Sequence, residues 1–245
     1  YSRAAYGELA SWWSEVCRGK NVHLYIGLAL YKVNDSTDKY FTNSGGVPEF
    51  TRQLKFNTVK PEIMGDILFR VANVNDAKKQ PVVKAMSNLR STKALVPVMS
   101  WKGGSAPDAP SNGKLEIASD RLKLTWTDND ADTAYYAIYR FDINENGDII
   151  SDASAKNLVA TVRKSTDGVQ EFVDKGLYDT EKVYYVVTAL DRLHNESMGL
   201  TISTNQSKHF RDVGLKYSWA LNAIDSPSLA SQICDNFDLS TYVLG

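Results

Sequence analysis

The chain has 245 residues, 43% of them hydrophobic and 23% charged, with a formal net charge of −1 at pH 7. This composition is typical of a globular protein with one large or two modest domains. The balanced charge, without any run of Lys or Arg, excludes a general nucleic-acid-binding surface. No stretch of about eighteen apolar residues is present, so no membrane-spanning helix is predicted. Two cysteines, Cys17 and Cys234, are too few for a disulfide framework, and we expect free thiols.

Residues 1–105 alternate between helical and strand patterns. Residues 22–31 and 62–71 are nearly continuous apolar runs, which are typical of strands covered on both faces. Helical patterns precede the first run and begin again at Pro48 and Pro81. Strand and helix in alternation with short links predict two parallel strands with their helices.

Side-chain alternation assigns the two faces of each predicted strand. In the first strand, Leu24, Ile26 and Leu28 are expected to face the helices. In the second strand, Ile67 and Phe69 are expected on that side, so that Met64, Asp66, Leu68 and Arg70 face the opposite way. In the first helix, Trp12 and Trp13 are expected at the core and its edge rather than as a sugar-binding platform.

Residues 97–113 are rich in proline and glycine, which indicates a linker and a domain boundary. Residues 106–205 then change to a period of two, and six or seven short strands predict a β-sandwich. Trp126 and Tyr184 are the predicted core aromatics of this sandwich. Residues 206–245 fit neither pattern and are interpreted as a tail or the start of a further module.

An ordered set of segments resembles one bacterial family. The segments in the first half are Trp12-Trp13, Leu24-Tyr25-Ile26-Gly27, Gln53-Leu54, Gly65 and Val96-Pro97-Val98-Met99-Ser100-Trp101. They resemble the last third of the barrel in glycosyl-hydrolase-like family 10. Residues 137–141 and 185–197 resemble the fibronectin type III-like module that follows that barrel.

The resemblance implies an α/β plus all-β fold. Residues 1–105 would be the C-terminal portion of a (β/α)8 TIM-type barrel, and residues 106–205 a fibronectin type III-like β-sandwich. It also implies action on polysaccharide or oligosaccharide and an extracytoplasmic location (periplasmic, surface-anchored or secreted). Two strands cannot close an eight-stranded barrel. We therefore expect missing barrel strands or a second copy of the chain to cover the exposed strand faces.

Catalysis is expected outside this chain. Glycoside hydrolysis generally uses two carboxyl groups about 5 to 9.5 Å apart. Asp66 lies in the middle of a strand, and Asp35 and Asp76 are interpreted as solvated loop carboxylates. No catalytic residue is therefore assigned, and the chain alone is expected to hydrolyse nothing. The alternative functions are a non-catalytic spacer or carbohydrate-contacting module, and a purely structural interaction protein.

Candidate substrate-binding residues follow from the barrel resemblance, because barrel enzymes work at the carboxyl ends of their strands. Those ends carry Tyr31 and Arg70, with Lys32 and Asn73 beside them. An aromatic ring and a guanidinium suit stacking on, and hydrogen bonding to, sugars or uronate groups. The alternative, which stays open, is that Tyr31 is a core residue and Arg70 pairs with a carboxylate of the missing half of the barrel.

A weak calcium-loop pattern lies in the second half of the chain. Asp142, Asn144, Asn146 and Asp148 have the spacing of the first ligands of an EF-hand loop. Ala153 stands where the bidentate Glu should be, and no helices flank the segment. A turn between two strands is the favoured interpretation. No metal site is assigned, and no cofactor is expected.

Overall fold

The computed structural model describes residues 5–35, 37–118, 121–142, 155–175 and 183–203. It is a mixed helix and sheet structure with mostly β content. The chain divides after Ser91 into two compact units, so residues 92–105 belong to the second unit and not to the first. The predicted module at 206–245 lies outside the described residues.

The first unit alternates helices with two strands. Its elements are α1 (Tyr6–Cys17), β1 (Leu24–Leu28), α2 (Lys39–Thr42), α3 (Val47–Thr58), β2 (Ile63–Leu68), α4 (Val71–Val74) and α5 (Gln80–Leu89). Short 3-10 turns occur at Leu30–Lys32, Asn43–Gly46 and Ala77–Lys79. Proline lies in the first turn of both α3 and α5, where its missing N–H has no helical partner to lose.

β1 and β2 pair in parallel, and one side of this sheet packs on α3 and α5. Phe50 and Leu54 of α3 and Val82 of α5 are fully buried against Leu28. These residues occur at helical spacing in the sequence, so each helix buries one apolar stripe against the sheet. All the described residues that form this core lie in the first unit.

The predicted faces of the second strand are wrong. Ile26 pairs with Asp66 and Leu28 with Leu68, so Asp66 and Leu68 share the helix side with the buried residues of β1. Ile67 instead lies on the open side of the sheet, where 55% of its surface is exposed. The prediction failed because both sides of this strand carry apolar residues. Hydrophobicity therefore could not distinguish the helix side from the open side.

The tryptophans of α1 are also not where helical spacing predicted them. Trp12 is 56% exposed and Trp13 47% exposed, and their rings contact each other edge to face. The buried side of α1 is formed instead by the small residues Ala10 and Ser14. Small residues allow α1 to approach its neighbours closely, and this leaves the bulky rings on the outside.

The described residues of the second unit form seven strands in two antiparallel sheets. The strands are β3 (Ser111–Ala118), β4 (Arg121–Thr127), β5 (Tyr135–Asp142), β6 (Leu158–Arg163), β7 (Val169–Asp174), β8 (Val183–Leu190) and β9 (Leu200–Ile202). One sheet has the order β3-β4-β7 and the other β6-β5-β8-β9. Short 3-10 turns lie at Ser100–Lys102 and Ala155–Asn157.

The two sheets pack face to face around Trp126. This side chain is 1% exposed and contacts Tyr136 edge to face with ring centroids 5.1 Å apart, which confirms it as a core residue. Tyr184 is also buried, but it lies with Phe141 and Val186 on the opposite side of the four-stranded sheet. Its neighbour Tyr185 occupies the core between the sheets. The apolar residues on both sides of β8 explain why the sequence pattern could not choose between the two tyrosines.

The predicted linker packs on the sandwich. Leu95 packs against the apolar cluster around Tyr184, and the Met99 amide donates a 3.1 Å hydrogen bond to the Leu193 carbonyl. Further along, the Asp108 amide donates a 2.7 Å hydrogen bond to the Asp130 carboxylate. Proline and glycine here shape an ordered segment of the second unit.

Candidate functional site

Two of the four candidate sugar-binding residues, Tyr31 and Asn73, are hydrogen-bonded to one backbone carbonyl at the ends of β1 and β2. The Phe69 carbonyl accepts hydrogen bonds from the Tyr31 amide and from Asn73 Nδ2, each 3.2 Å long. The Asn73 amide donates a 2.8 Å hydrogen bond to the Arg70 carbonyl. The structure therefore brings Tyr31, Arg70 and Asn73 together, although they lie up to 42 residues apart in the chain.

Two aromatic rings lie open at these strand ends. Tyr31 is 47% exposed and Phe69 is 60% exposed, and the rings meet edge to face with centroids 6.1 Å apart. Tyr31 is thus not a core residue of the first unit. Tyr25 lies further along the same side of the sheet, its ring against Gly65. Exposed apolar surface of this kind marks a place where a ligand or another part of the protein binds.

The two cations of the predicted site differ in their surroundings. Arg70 is exposed, and within the described part of the chain it takes part in no ion pair. Its guanidinium is therefore available to a carboxylate or to sugar hydroxyls. Lys32 points elsewhere, because its ammonium lies 5.2 Å from the centroid of the Phe41 ring in a cation–π contact. Lys32 is the predicted residue that the structure does not bring to the cluster.

A buried lysine, which the sequence analysis missed, lies beside this site. The Lys79 ammonium contacts Asp35 at 2.5 Å and Asp76 at 2.8 Å. Hydrogen bonds from Lys79 hold the pKa of both carboxyl groups below the ordinary range. Asp35 and Asp76, interpreted as solvated loop carboxylates, are indeed partly exposed, at 46% and 32% of their side chains, but both are ion-paired with Lys79. Only the spacing of Asp76 and Lys79, three residues apart, hinted at this ion pair in the sequence.

Asp66 is engaged on the helix side of the sheet. Its carboxylate accepts hydrogen bonds from Asn57 Nδ2 at 2.6 Å and from Arg90 at 2.7 Å. The Tyr6 hydroxyl donates a 2.7 Å hydrogen bond to Asn57 in turn. Burial of Tyr6 raises the pKa of its hydroxyl well above the usual range. This network joins α1, α3 and β2, and it leaves Asp66 no role in binding substrate on the open side.

A partly buried carboxyl group with a raised pKa, that of Glu196, lies in the sandwich. Glu196 Oε1 accepts hydrogen bonds from the Tyr139 and Thr188 hydroxyls, each 2.7 Å long. Burial raises the pKa of Glu196, and these two hydrogen bonds oppose the rise. The group has no second carboxyl partner in the contacts described for it, so its geometry is that of a structural residue.

The described residues include no group of three His, Cys, Asp or Glu side chains that could hold a metal ion. The weak calcium pattern falls almost wholly outside them: the backbone of Asp142 ends β5, and Asn144, Asn146 and Asp148 are not described. None of the helices described is long and apolar enough to cross a membrane.

Sequence comparison finds relatives that are named as glycosyl hydrolases. The chain is 34% identical over 202 residues to Glycosyl hydrolase YngK of Bacillus subtilis, a match that covers 80% of this chain and 37% of that protein. It is 39% identical over 89 residues to Glycosyl hydrolase DigH of Escherichia coli, covering 36% of this chain and 20% of that protein. The chain is related to glycosyl hydrolases. It spans little more than a third of the first relative, and it matches no family model.

Comparison with solved structures gives weaker similarities. The spore cortex lytic enzyme SleM of Clostridium perfringens has a TM-score of 0.30 and 13% identity, over 43% of this chain and 31% of that one. An Fn3-like protein from Clostridium thermocellum has a TM-score of 0.23 and 21% identity, over 40% of this chain and 91% of that one. Scores of this size do not establish a common fold.

Proposed function

We propose that this chain is the C-terminal part of a glycoside hydrolase acting on polysaccharide, and that it contacts the sugar without supplying the catalytic carboxylates. The observation that carries the proposal is the cluster at the ends of β1 and β2. There the backbone of Tyr31 is hydrogen-bonded to the Phe69 carbonyl, its ring is exposed, and the neighbouring Arg70 side chain is exposed and in no ion pair within the described residues. Asn73 completes the set of polar groups.

In this proposal, residues 5–91 are the C-terminal portion of a TIM-type barrel of glycosyl-hydrolase-like family 10. Two features support it. β1 and β2 are parallel neighbours with helices on one side, as in every (β/α) barrel. The opposite side is apolar and open, with Ile67 and Phe69 more than half exposed. Further barrel strands, or a second copy of the chain, would cover this side.

The proposed absence of catalysis rests on the contacts of the acidic residues at this site. Asp35 and Asp76 share the Lys79 ammonium, and Asp66 is bound by Arg90 and Asn57. A general acid needs a raised pKa, but the pKa of Asp35 and that of Asp76 are lowered. These groups are therefore unsuited to protonate a leaving group.

The decisive experiment measures glycan binding by the full 245-residue chain. Cellohexaose, chitohexaose and galacturonohexaose serve as probes for neutral, N-acetylated and uronic sugars, with calorimetry as the readout. We expect at least one to bind, and Arg70→Ala to raise its Kd about 10- to 100-fold, because a hydrogen bond from a charged group contributes about 1.5–3 kcal/mol. Arg52→Ala, at an exposed position of α3, is the matched control.

Two results would contradict the proposal. If none of the three probes binds, or if Arg70→Ala and Arg52→Ala behave alike, the strand ends do not contact sugar. If the chain alone hydrolyses a probe, the assignment of the catalytic carboxylates to another part of the protein is wrong. The complete reading frame offers an independent test, since it should contain further strands that end in a pair of Asp or Glu residues.

A second candidate function is a non-catalytic spacer or carbohydrate-contacting module. The observation that favours it is the sandwich, which has its own core around Trp126 and its own ordered leading segment. We propose that it is the fibronectin type III-like module; sandwiches of this kind often space their neighbours, and fold alone does not assign an activity. Binding of a probe to residues 92–203, with none to the strand-end cluster, would favour this function. An extracytoplasmic location stays a prediction from the family resemblance.

A further inference from the structure

Lys79 joins two segments that are distant in the sequence. Asp35 belongs to the segment that follows β1, whereas Asp76 and Lys79 itself belong to the segment that follows β2. The Lys79 side chain is 1% exposed, and a lysine is almost never buried to this degree unless its charge is paired. The contact to Asp35 is therefore a bridge between the segments, and the contact to Asp76 lies within one of them.

A second polar contact reinforces this bridge. Asn34 Nδ2 donates a 2.8 Å hydrogen bond to the Lys78 carbonyl, one residue before Lys79. The Lys78 ammonium is also 3.7 Å from Asp35, but both side chains are well exposed, so this pair contributes little. The bridge thus consists of one buried ammonium and one side-chain amide, both with directional hydrogen bonds.

The bridged segments carry the candidate sugar-binding residues. Tyr31 lies four residues before Asp35, and Arg70 and Asn73 lie six and three residues before Asp76. The Lys79 ammonium is buried whereas Asp35 is 46% exposed, and a buried charge of this kind often stabilises a fold no better than apolar residues of similar volume, while its hydrogen bonds are directional. Position rather than stability is therefore the property for which a buried lysine is suited here.

We propose that Lys79 is a positioning residue of the candidate glycan site, holding the segment after β1 against the segment after β2 through Asp35. The inference rests on the proposed function as far as the ligand is concerned. The mechanical part does not depend on it: we expect that breaking the Lys79–Asp35 contact loosens the segment that carries Tyr31 relative to the segment that carries Arg70, although the Tyr31 amide keeps its hydrogen bond to the Phe69 carbonyl.

The test compares two substitutions in the full chain, Asp35→Ala and Asp76→Ala. Each removes one carboxylate from Lys79, but only Asp35→Ala breaks the bridge between segments. Asp76 also accepts a hydrogen bond from the Lys78 amide, so its loss costs an additional contact. If Asp35 and Asp76 only neutralised the buried ammonium, Asp76→Ala would loosen both segments at least as much as Asp35→Ala does.

The readout is the NMR backbone order parameter, measured without ligand. For Asp35→Ala we expect values at Tyr31 and Arg70 to fall from about 0.85 to below about 0.6, while those of α3 and β1 stay unchanged. For Asp76→Ala we expect Tyr31 to keep its rigid value. Equal effects of the two substitutions, no effect of Asp35→Ala, or loosening of the entire first unit would each overturn the proposal.

A binding measurement separates this inference from the proposed function. If Asp35→Ala leaves the competent arrangement about one-third populated, the apparent Kd for the hexasaccharide that binds rises about threefold. The control is Lys84→Met, at an exposed position of α5, which should leave both the Kd and the order parameters unchanged. If no hexasaccharide binds the unsubstituted chain, the proposed function fails, and the order parameters still decide the role of Lys79.

Discussion

Arg90 donates a 2.7 Å hydrogen bond to Asp66 on the helix side of the two-stranded sheet. The same guanidinium donates to the Thr58 hydroxyl at 3.1 Å, so one side chain joins the end of α5 to both α3 and β2. Asp66 would otherwise be a nearly buried carboxylate with a single amide partner, Asn57. The pair therefore accounts for a charged residue in the middle of a strand.

We predict that Arg90→Ala destabilises the first unit by about 1–3 kcal/mol, the range expected when a buried polar group loses its partner. Arg70→Ala is the matched control, because Arg70 is exposed and takes part in no ion pair within the described residues. Its effect should lie within about 0.5 kcal/mol of zero. Chemical denaturation followed by circular dichroism measures both. Equal effects would show that the Arg90–Asp66 contact contributes nothing to stability.

Trp126 fills the centre of the sandwich. We predict that Trp126→Ala destabilises the second unit by about 3–5 kcal/mol, because the lost side chain leaves a cavity that its neighbours cannot fill. Ile117→Ala on β3 removes a residue that is more than half exposed and should change stability by no more than about 0.5 kcal/mol. Denaturation of the full chain provides the measurement. If Trp126→Ala hardly changes the free energy of unfolding, Trp126 is not a packed core residue.

Glu196 makes the stability of the sandwich depend on pH. Burial raises its pKa in the folded protein, whereas the unfolded chain ionises this group near pH 4.3. Between these two pKa values the unfolded state binds fewer protons than the folded state, so stability falls as pH rises through that range. A glutamine keeps an oxygen that accepts from Tyr139 and Thr188 but cannot ionise.

We therefore predict that Glu196→Gln is more stable than the parent chain at about pH 7, and that the difference shrinks towards about pH 4. Glu116→Gln, at an exposed position of β3, is the control and should show no such dependence. Urea midpoints measured from about pH 4 to about pH 8 give the result. A constant difference across this range would mean that ionisation of Glu196 costs the fold nothing.

Gly104 packs the leading segment against the loop after β8. Its φ is +89°, and a Cβ atom there would lie 3.2 Å from Asn195 Nδ2 and 3.4 Å from Asp191 Oδ2. Gly103 also has a positive φ, of +76°, but a Cβ atom there meets nothing within 4 Å. The two glycines thus share a positive φ, and only Gly104 has close neighbours at the position of an added Cβ atom.

We predict that Gly103→Ala costs about 1–3 kcal/mol from the backbone alone, because φ +76° with ψ −156° is a conformation essentially restricted to glycine. Gly104→Ala should cost about a further 1–3 kcal/mol, because the added methyl group crowds the loop. Thermal denaturation of the two variants side by side measures the difference. Identical melting temperatures would show that residues 92–105 do not pack firmly on the sandwich.

Local patterns in the sequence were sufficient to predict most of the helices and strands. Apart from β3, which begins at Ser111 inside the predicted linker, the strands of both units overlap the predicted apolar and alternating segments, and Pro48 and Pro81 lie in the first turns of α3 and α5, as predicted. These features depend on residues close together in the chain. Trp126 could also be placed in the core, since it is a bulky apolar residue on a cleanly alternating strand whose other face is polar.

Tertiary contacts decided what the pattern left ambiguous. Where both sides of a strand are apolar, as in β2 and β8, the periodicity of two is lost, and only the packing partners show which side is which. Likewise, no local signal connects Asp35 with Lys79 across 44 residues, or Asp66 with Arg90 across 24. The sequence by itself thus determined the longer helices, most of the strands and the residues at the ends of β1 and β2, but not the short helices α2 and α4. The charge pairs that hold those ends depended on the fold, because an ion pair is specified by distance in space and not by distance along the chain.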